Sequence, residues 1–168
     1  MSTPAAGGPA AGTLAWAGGG LIVIVFHLGL IFWGLVPNLV ARPLHLALAL
    51  PWVLVFAAGP GWPRVSGAML AVAGVAACLW VAARHEALSD QYGFLEGLGQ
   101  MVVALVLLAV VLEAARWAIG WPLPLIALAA LGYAVGGPWI PGEFGHAGTP
   151  LASFLGNLTI VEGGLWGT

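Results

Sequence analysis

Two histidines and three carboxylates are the residues of this chain best suited to chemistry. His27 and His45 fall in or beside long apolar stretches, and a pair of imidazoles on membrane helices can ligate a haem iron. Their depths differ, His27 lying near the middle of one apolar run and His45 near the start of the next. Polar packing or an interfacial position is therefore the simpler reading for each. Glu86, Asp90 and Glu96 share one polar stretch and could offer oxygens to a hard cation. A loop between membrane helices needs the same residues to stay wet. The chain has no His-x-x-x-His zinc spacing and no Ser, His and Asp cluster. Gly18-Gly19-Gly20 opens an apolar run and lacks the Lys of a phosphate-cradling loop. The sequence thus reads as a non-enzyme, with no catalytic, cofactor-binding or metal residue to assign.

The elements that must position such residues are set by an unusual solvent. Of 168 residues, four are Arg, none is Lys and six are Asp or Glu, so charged residues make up 6% of the chain. A soluble domain carries about 25%. Hydrophobic residues reach 61% and the mean hydropathy is +1.04. Leu14 to Val36, Pro43 to Gly59, Val65 to Ala83, Gly97 to Leu112 and Trp121 to Ile140 hold no Asp, Glu, Lys or Arg. A helix needs about 20 apolar residues to cross about 30 Å of hydrocarbon. The first, third and fifth runs meet that length, and the second and fourth reach it with flanking interfacial residues. The fold class expected is all-α, a polytopic bundle of about five transmembrane helices; four remain if the second is re-entrant. The runs are too long and continuous for the alternation of a membrane β-barrel. A net charge of −2 without basic clusters argues against a nucleic-acid partner.

Along the chain, residues 1–13 read as a flexible tail of small and turn-prone residues. That start lacks the basic n-region of a signal peptide, so the first span is expected to stay in place. Pro37-Asn38 reads as a turn and Arg42-Pro43 as the opening of the second helix; Pro51 should kink it. The third span is rich in small residues (Gly67, Ala68, Ala71, Ala73, Gly74, Ala76, Ala77), so it is expected to be the helix most enclosed by protein. Cys78, the single cysteine, reads as a small packing residue. Arg84 to Glu96 reads as the most polar loop. Glu113 and Arg116 are spaced to pair on one helix face near headgroup level. Trp33, Trp80, Trp117, Trp121 and Trp139 fall near span ends, where indole rings partition. Residues 14–140 form the expected bundle, and 141–168 a loop followed by a short interfacial helix from Pro150. Arginines divide evenly between the two sides, so positive charge alone does not orient the chain.

The ordered segments Phe26-His27-Leu28-Gly29-Leu30, Arg42-Pro43-Leu44-His45-Leu46-Ala47-Leu48-Ala49-Leu50-Pro51, Leu112-Glu113-Ala114-Ala115-Arg116-Trp117, Tyr133-Ala134-Val135-Gly136-Gly137-Pro138-Trp139-Ile140-Pro141-Gly142 and Leu158-Thr159-Ile160-Val161-Glu162-Gly163 together carry a likeness. From about residue 22 onward the chain resembles the N-terminal, small-subunit-like region of the fused permeases of TRAP (tripartite ATP-independent periplasmic) transporters of the TAXI type. The resemblance implies a multi-pass protein of the bacterial inner membrane that supports sodium-coupled uptake of organic acids or similar solutes. It implies two partners besides the lipid bilayer: a large permease portion or subunit that holds the transport sites, and a periplasmic solute-binding protein. It also implies that residues 141–168 lead toward that transport portion, that the chain alone does not transport, and that Arg64 and Arg116 face the cytoplasm. The alternative expectation is a stand-alone membrane enzyme or haem protein using His27 and His45.

Overall fold

A computed structural model describes residues 11–56 and 64–167. It is 81% helical with no strands among those residues, and five helices are long and apolar enough to cross a membrane. The chain is a multi-pass, all-α membrane protein by that measure. It divides into two compact units at Val36 and Pro37. The expected tail lies mostly outside the described residues, and the first helix already includes Ala11 to Thr13.

The first unit is the helix α1 (Ala11–Trp33). It ends where Gly34 and Leu35 take positive φ values of 39° and 60°. Glycine enters that region freely, whereas Leu35 does so against its own Cβ, and its side chain stands fully exposed.

The second unit begins with α2 (Asn38–Pro51), continued by a π-helical turn over Trp52–Phe56. The helix starts five residues before Pro43, earlier than the sequence reading placed it. Pro37 is the reason: its ring fixes φ at −54° and its carbonyl accepts the N–H groups of Val40 and Ala41, both at 2.9 Å. Pro43 therefore lies inside the helix, buried. At Pro51, which has no N–H to give, α-helical geometry passes into the wider π turn. Then come α3 (Arg64–Ala83), the one-turn α4 (His85–Ser89), α5 (Gly97–Ile119), α6 (Pro122–Gly136) and α7 (Leu151–Thr159). Three short 3-10 turns, Gly137–Trp139, Gly142–Phe144 and Gly164–Trp166, complete the unit.

The core forms where narrow stripes meet. Leu39, Pro43, Ala47, Leu50 and Leu54 recur at steps of three or four and are buried along α2. Gly67, Ala71, Gly74, Cys78 and Val81 do the same on α3, and Gln100, Ala104, Leu107 and Val110 on α5. These steps keep one face in register with its neighbour. Small residues on α3 let the backbones close up. Among the spans of this unit α3 has the largest buried share, 33% of its membrane window against 28%, 17% and 11% for the others, as its composition predicts. Its opposite face, with Val65, Met69 and Val72, is exposed.

The short helix expected after Pro150 is present, and its apolar side is turned into protein. Leu155, Gly156 and Thr159 are buried, and α7 packs against α5. Gly156 lies so close to the Gly93 carbonyl that a Cβ would collide with it. Trp166 is 1% exposed and donates its indole N–H to the Thr159 carbonyl at 2.7 Å. Arg42 of α2 donates to the Gly167 carbonyl. Residues 151–167 thus fold back as a cap on one end of the bundle, where α2 begins and α4 turns.

Candidate functional site

The polar side chains gather at helix corners, and each corner can be judged by what its hydrogen bonds already do. At the junction of α5 and α6, Gly120 takes φ 97° and its N–H caps the Arg116 carbonyl at 2.9 Å. The spacing of Glu113 and Arg116 gives the pairing the sequence predicts. Arg116 donates twice to the Glu113 carboxylate, Nε at 2.8 Å and a terminal nitrogen at 2.6 Å. Trp117 Nε1 donates to the same carboxylate at 2.9 Å, and the guanidinium stands 5.1 Å from the Trp121 ring centroid. A carboxylate held on both oxygens is a poor proton acceptor and a poor metal ligand. This corner is built to hold a turn.

The stretch Arg84 to Glu96 is likewise spent on itself. Leu88, 1% exposed, pins α4 to the bundle. Tyr92 and Gly93 turn the chain with φ values of 50° and 86°. Gln91 donates to Glu96 Oε2 at 3.1 Å, and Gln100 reaches back to accept the Glu96 N–H at 2.6 Å, capping α5. Arg84 stands 5.0 Å from the Trp80 ring. Glu86, Asp90 and Glu96 are exposed, and among the described residues no three His, Cys, Asp or Glu side chains gather as a metal site would require.

The best-organised polar group is one the sequence reading did not single out. Residues 137–149 close a compact loop beyond α6, organised around His146. Its Nε2 lies 3.1 Å from the Tyr133 carbonyl and must donate to it. Its Nδ1 accepts the Gly148 N–H at 3.0 Å. The Tyr133 ring lies 4.8 Å away, centroid to centroid, and the Tyr133 hydroxyl donates to the Phe144 carbonyl at 3.1 Å. Thr149 N–H reaches the Ala134 carbonyl at 2.8 Å. Gly137 leaves the room the ring occupies: any Cβ there would run into it. The sequence signal was available only as Gly136-Gly137 followed by a lone loop histidine, which is too common a pattern to stand out.

The two histidines first considered for haem belong to different units. His27, on α1, donates from Nδ1 to the Val23 carbonyl at 2.7 Å, one helical turn back, and meets the Phe26 ring edge-on at 5.4 Å. His45 is exposed on α2. Inside the second unit the openings between helices are apolar: grooves of about 700 Å³ beside Val55, Val65, Met69 and Val72 and about 380 Å³ beside Pro51, Ala71 and Leu79, and a cavity of about 270 Å³ where α5, α6 and α7 meet. Such surfaces suit acyl chains or other helices and offer nothing to hold an ionic solute.

No protein-family model, curated protein or solved structure matches the chain.

Proposed function

We propose that this chain is a structural, small-subunit-like component of a TRAP-type sodium-coupled transporter in a bacterial inner membrane. On this reading it works with a large permease portion and a periplasmic solute-binding protein, and it is not itself an enzyme. The observation that carries the proposal is where the segments bearing the resemblance fall. Arg42 to Pro51 forms the packed stripe of α2, and Leu112 to Trp117 the corner before α6. Tyr133 to Gly142 builds the His146 loop, and Leu158 to Gly163 leads into the Trp166 anchor. Each of these segments fixes a helix end or a helix contact. Gln100 and Thr159, the buried polar residues among those described, both bond to backbone nearby. An ion-coupled carrier instead presents polar or ionisable groups at mid-membrane. This interior supports a scaffold better than a carrier.

The test is reconstitution. The chain placed alone in liposomes with an inward sodium gradient is expected to accumulate labelled organic acids no faster than empty liposomes do. Sodium-dependent accumulation by the lone chain would overturn the proposal.

A further inference from the structure

We propose that His146 is a proton-operated latch, closing the segment 137–149 against α6 when neutral and releasing it when protonated. The imidazole uses its two nitrogens in opposite senses. Nδ1 must be bare to accept the Gly148 N–H, and Nε2 must carry the proton it gives to the Tyr133 carbonyl. Only the neutral ring in that one tautomer satisfies both. A second proton has one place to go, Nδ1, where it would point straight at the Gly148 N–H. Two donors then face each other, the Gly148 bond is lost, and the ring must leave its seat.

What the ring holds determines what is released. The seat lies over Gly137 and beside the Tyr133 ring, and the His146 N–H itself reaches the Gly137 carbonyl at 3.3 Å. Ejecting the ring therefore loosens the strands of backbone that carry Trp139 and Phe144, both strongly exposed. The titratable group facing the imidazole from α6 is Tyr133, whose hydroxyl is engaged by Phe144. Gly137 brings no charge. Within the loop Glu143 is exposed, and no ion pair ties it to His146 among the described residues. The carbonyl end of α6 attracts an imidazolium through Nε2, but that attraction leaves the clash of two donors at Nδ1 in place, so the ring can keep the Tyr133 bond only by giving up Gly148. Because the loop lies at the end of the bundle away from the Glu113–Arg116 corner, the device would report the pH of one compartment only.

The test uses the full chain in lipid nanodiscs. Amide hydrogen exchange over residues 137–149, corrected for intrinsic exchange, is compared at about pH 8 and about pH 5, which bracket imidazole titration. Protection is expected to fall by about tenfold or more at the lower pH, the loss of one well-placed hydrogen bond with added repulsion. His146→Gln cannot take up the proton, so any protection it retains should not change between the two pH values. Unchanged protection in the natural chain, or an equal pH-driven loss in His146→Gln, would overturn the latch. Should His146→Gln leave the loop unprotected throughout, imidazole ¹⁵N spectra of the natural chain decide. Protonation at Nδ1 must coincide with the loss of protection; an imidazolium within a still-protected loop would refute the proposal.

Discussion

Trp166→Ala should unfold the cap and destabilise the protein by about 3–5 kcal/mol, the range for removing a fully buried Trp. The side chain is 1% exposed and belongs to the same apolar cluster as Leu39, Leu155 and Ile160. Its indole N–H also satisfies the Thr159 carbonyl at the end of α7, a group that the helix leaves without an internal partner. The neighbouring Gly167 carbonyl accepts from Arg42, so losing the Trp anchor also frees the tie to α2. Trp166→Phe keeps most of the volume and loses the donor, so it should cost less, about 1–2 kcal/mol. Unfolding in detergent, followed by circular dichroism, measures both, with proteolysis after Thr159 as the local readout. A Trp166→Ala protein as stable as the parent would mean that residues 151–167 are an appendage, not part of the bundle.

Gly74→Val should be the most damaging change in the middle of the membrane. There α2, α3 and α5 meet with no space to spare: a Cβ on Gly74 would stand 2.6 Å from Leu50 Cδ1 and 2.9 Å from Val110 Cγ1. Forcing a branched side chain into that contact costs about 1–3 kcal/mol of overpacking. Gly74→Ala is a finer test because two effects oppose each other. The methyl overpacks, yet Ala gains about 1 kcal/mol over Gly in helix propensity, so its net effect should be small. Val72→Ala, on the exposed face of the same helix, should change stability by less than about 0.5 kcal/mol. Equal losses for Gly74→Val and Val72→Ala would contradict the assignment of α3's inner face.

How much of this was legible in the sequence follows from what lipid does to patterning. Five apolar runs suffice to identify the membrane helices because charge is so costly there. The inner stripes could not be read from hydrophobicity, since lipid-facing and protein-facing residues are equally apolar. Residue size was the surviving signal, and Gly67, Ala71 and Gly74 marked α3 correctly for that reason. Boundaries failed where proline has two meanings. Pro43 was read as a helix opener, but Pro37 had already fixed the start and Pro43 fell inside. The fold-back of residues 151–167 was hidden for a different reason: Gly156 closes on Gly93 and Gly167 on Arg42, 125 residues away, and no local pattern encodes such contacts. The Glu113–Arg116 pair was legible because both partners lie one turn apart on one helix. The His146 loop was not, since its partners are backbone groups, which every residue carries.

The most direct measurement of the central claim, that α3 crosses a bilayer, and of the orientation that the TRAP resemblance implies, with the Arg84 to Glu96 turn outside, is labelling of single cysteines in intact cells. In a Cys78→Ala background, a membrane-impermeant thiol reagent is expected to modify Ser89→Cys from outside and to spare Ser66→Cys until the cells are opened. Reversed labelling would contradict the orientation, and equal labelling of both positions in intact cells would contradict the membrane crossing itself.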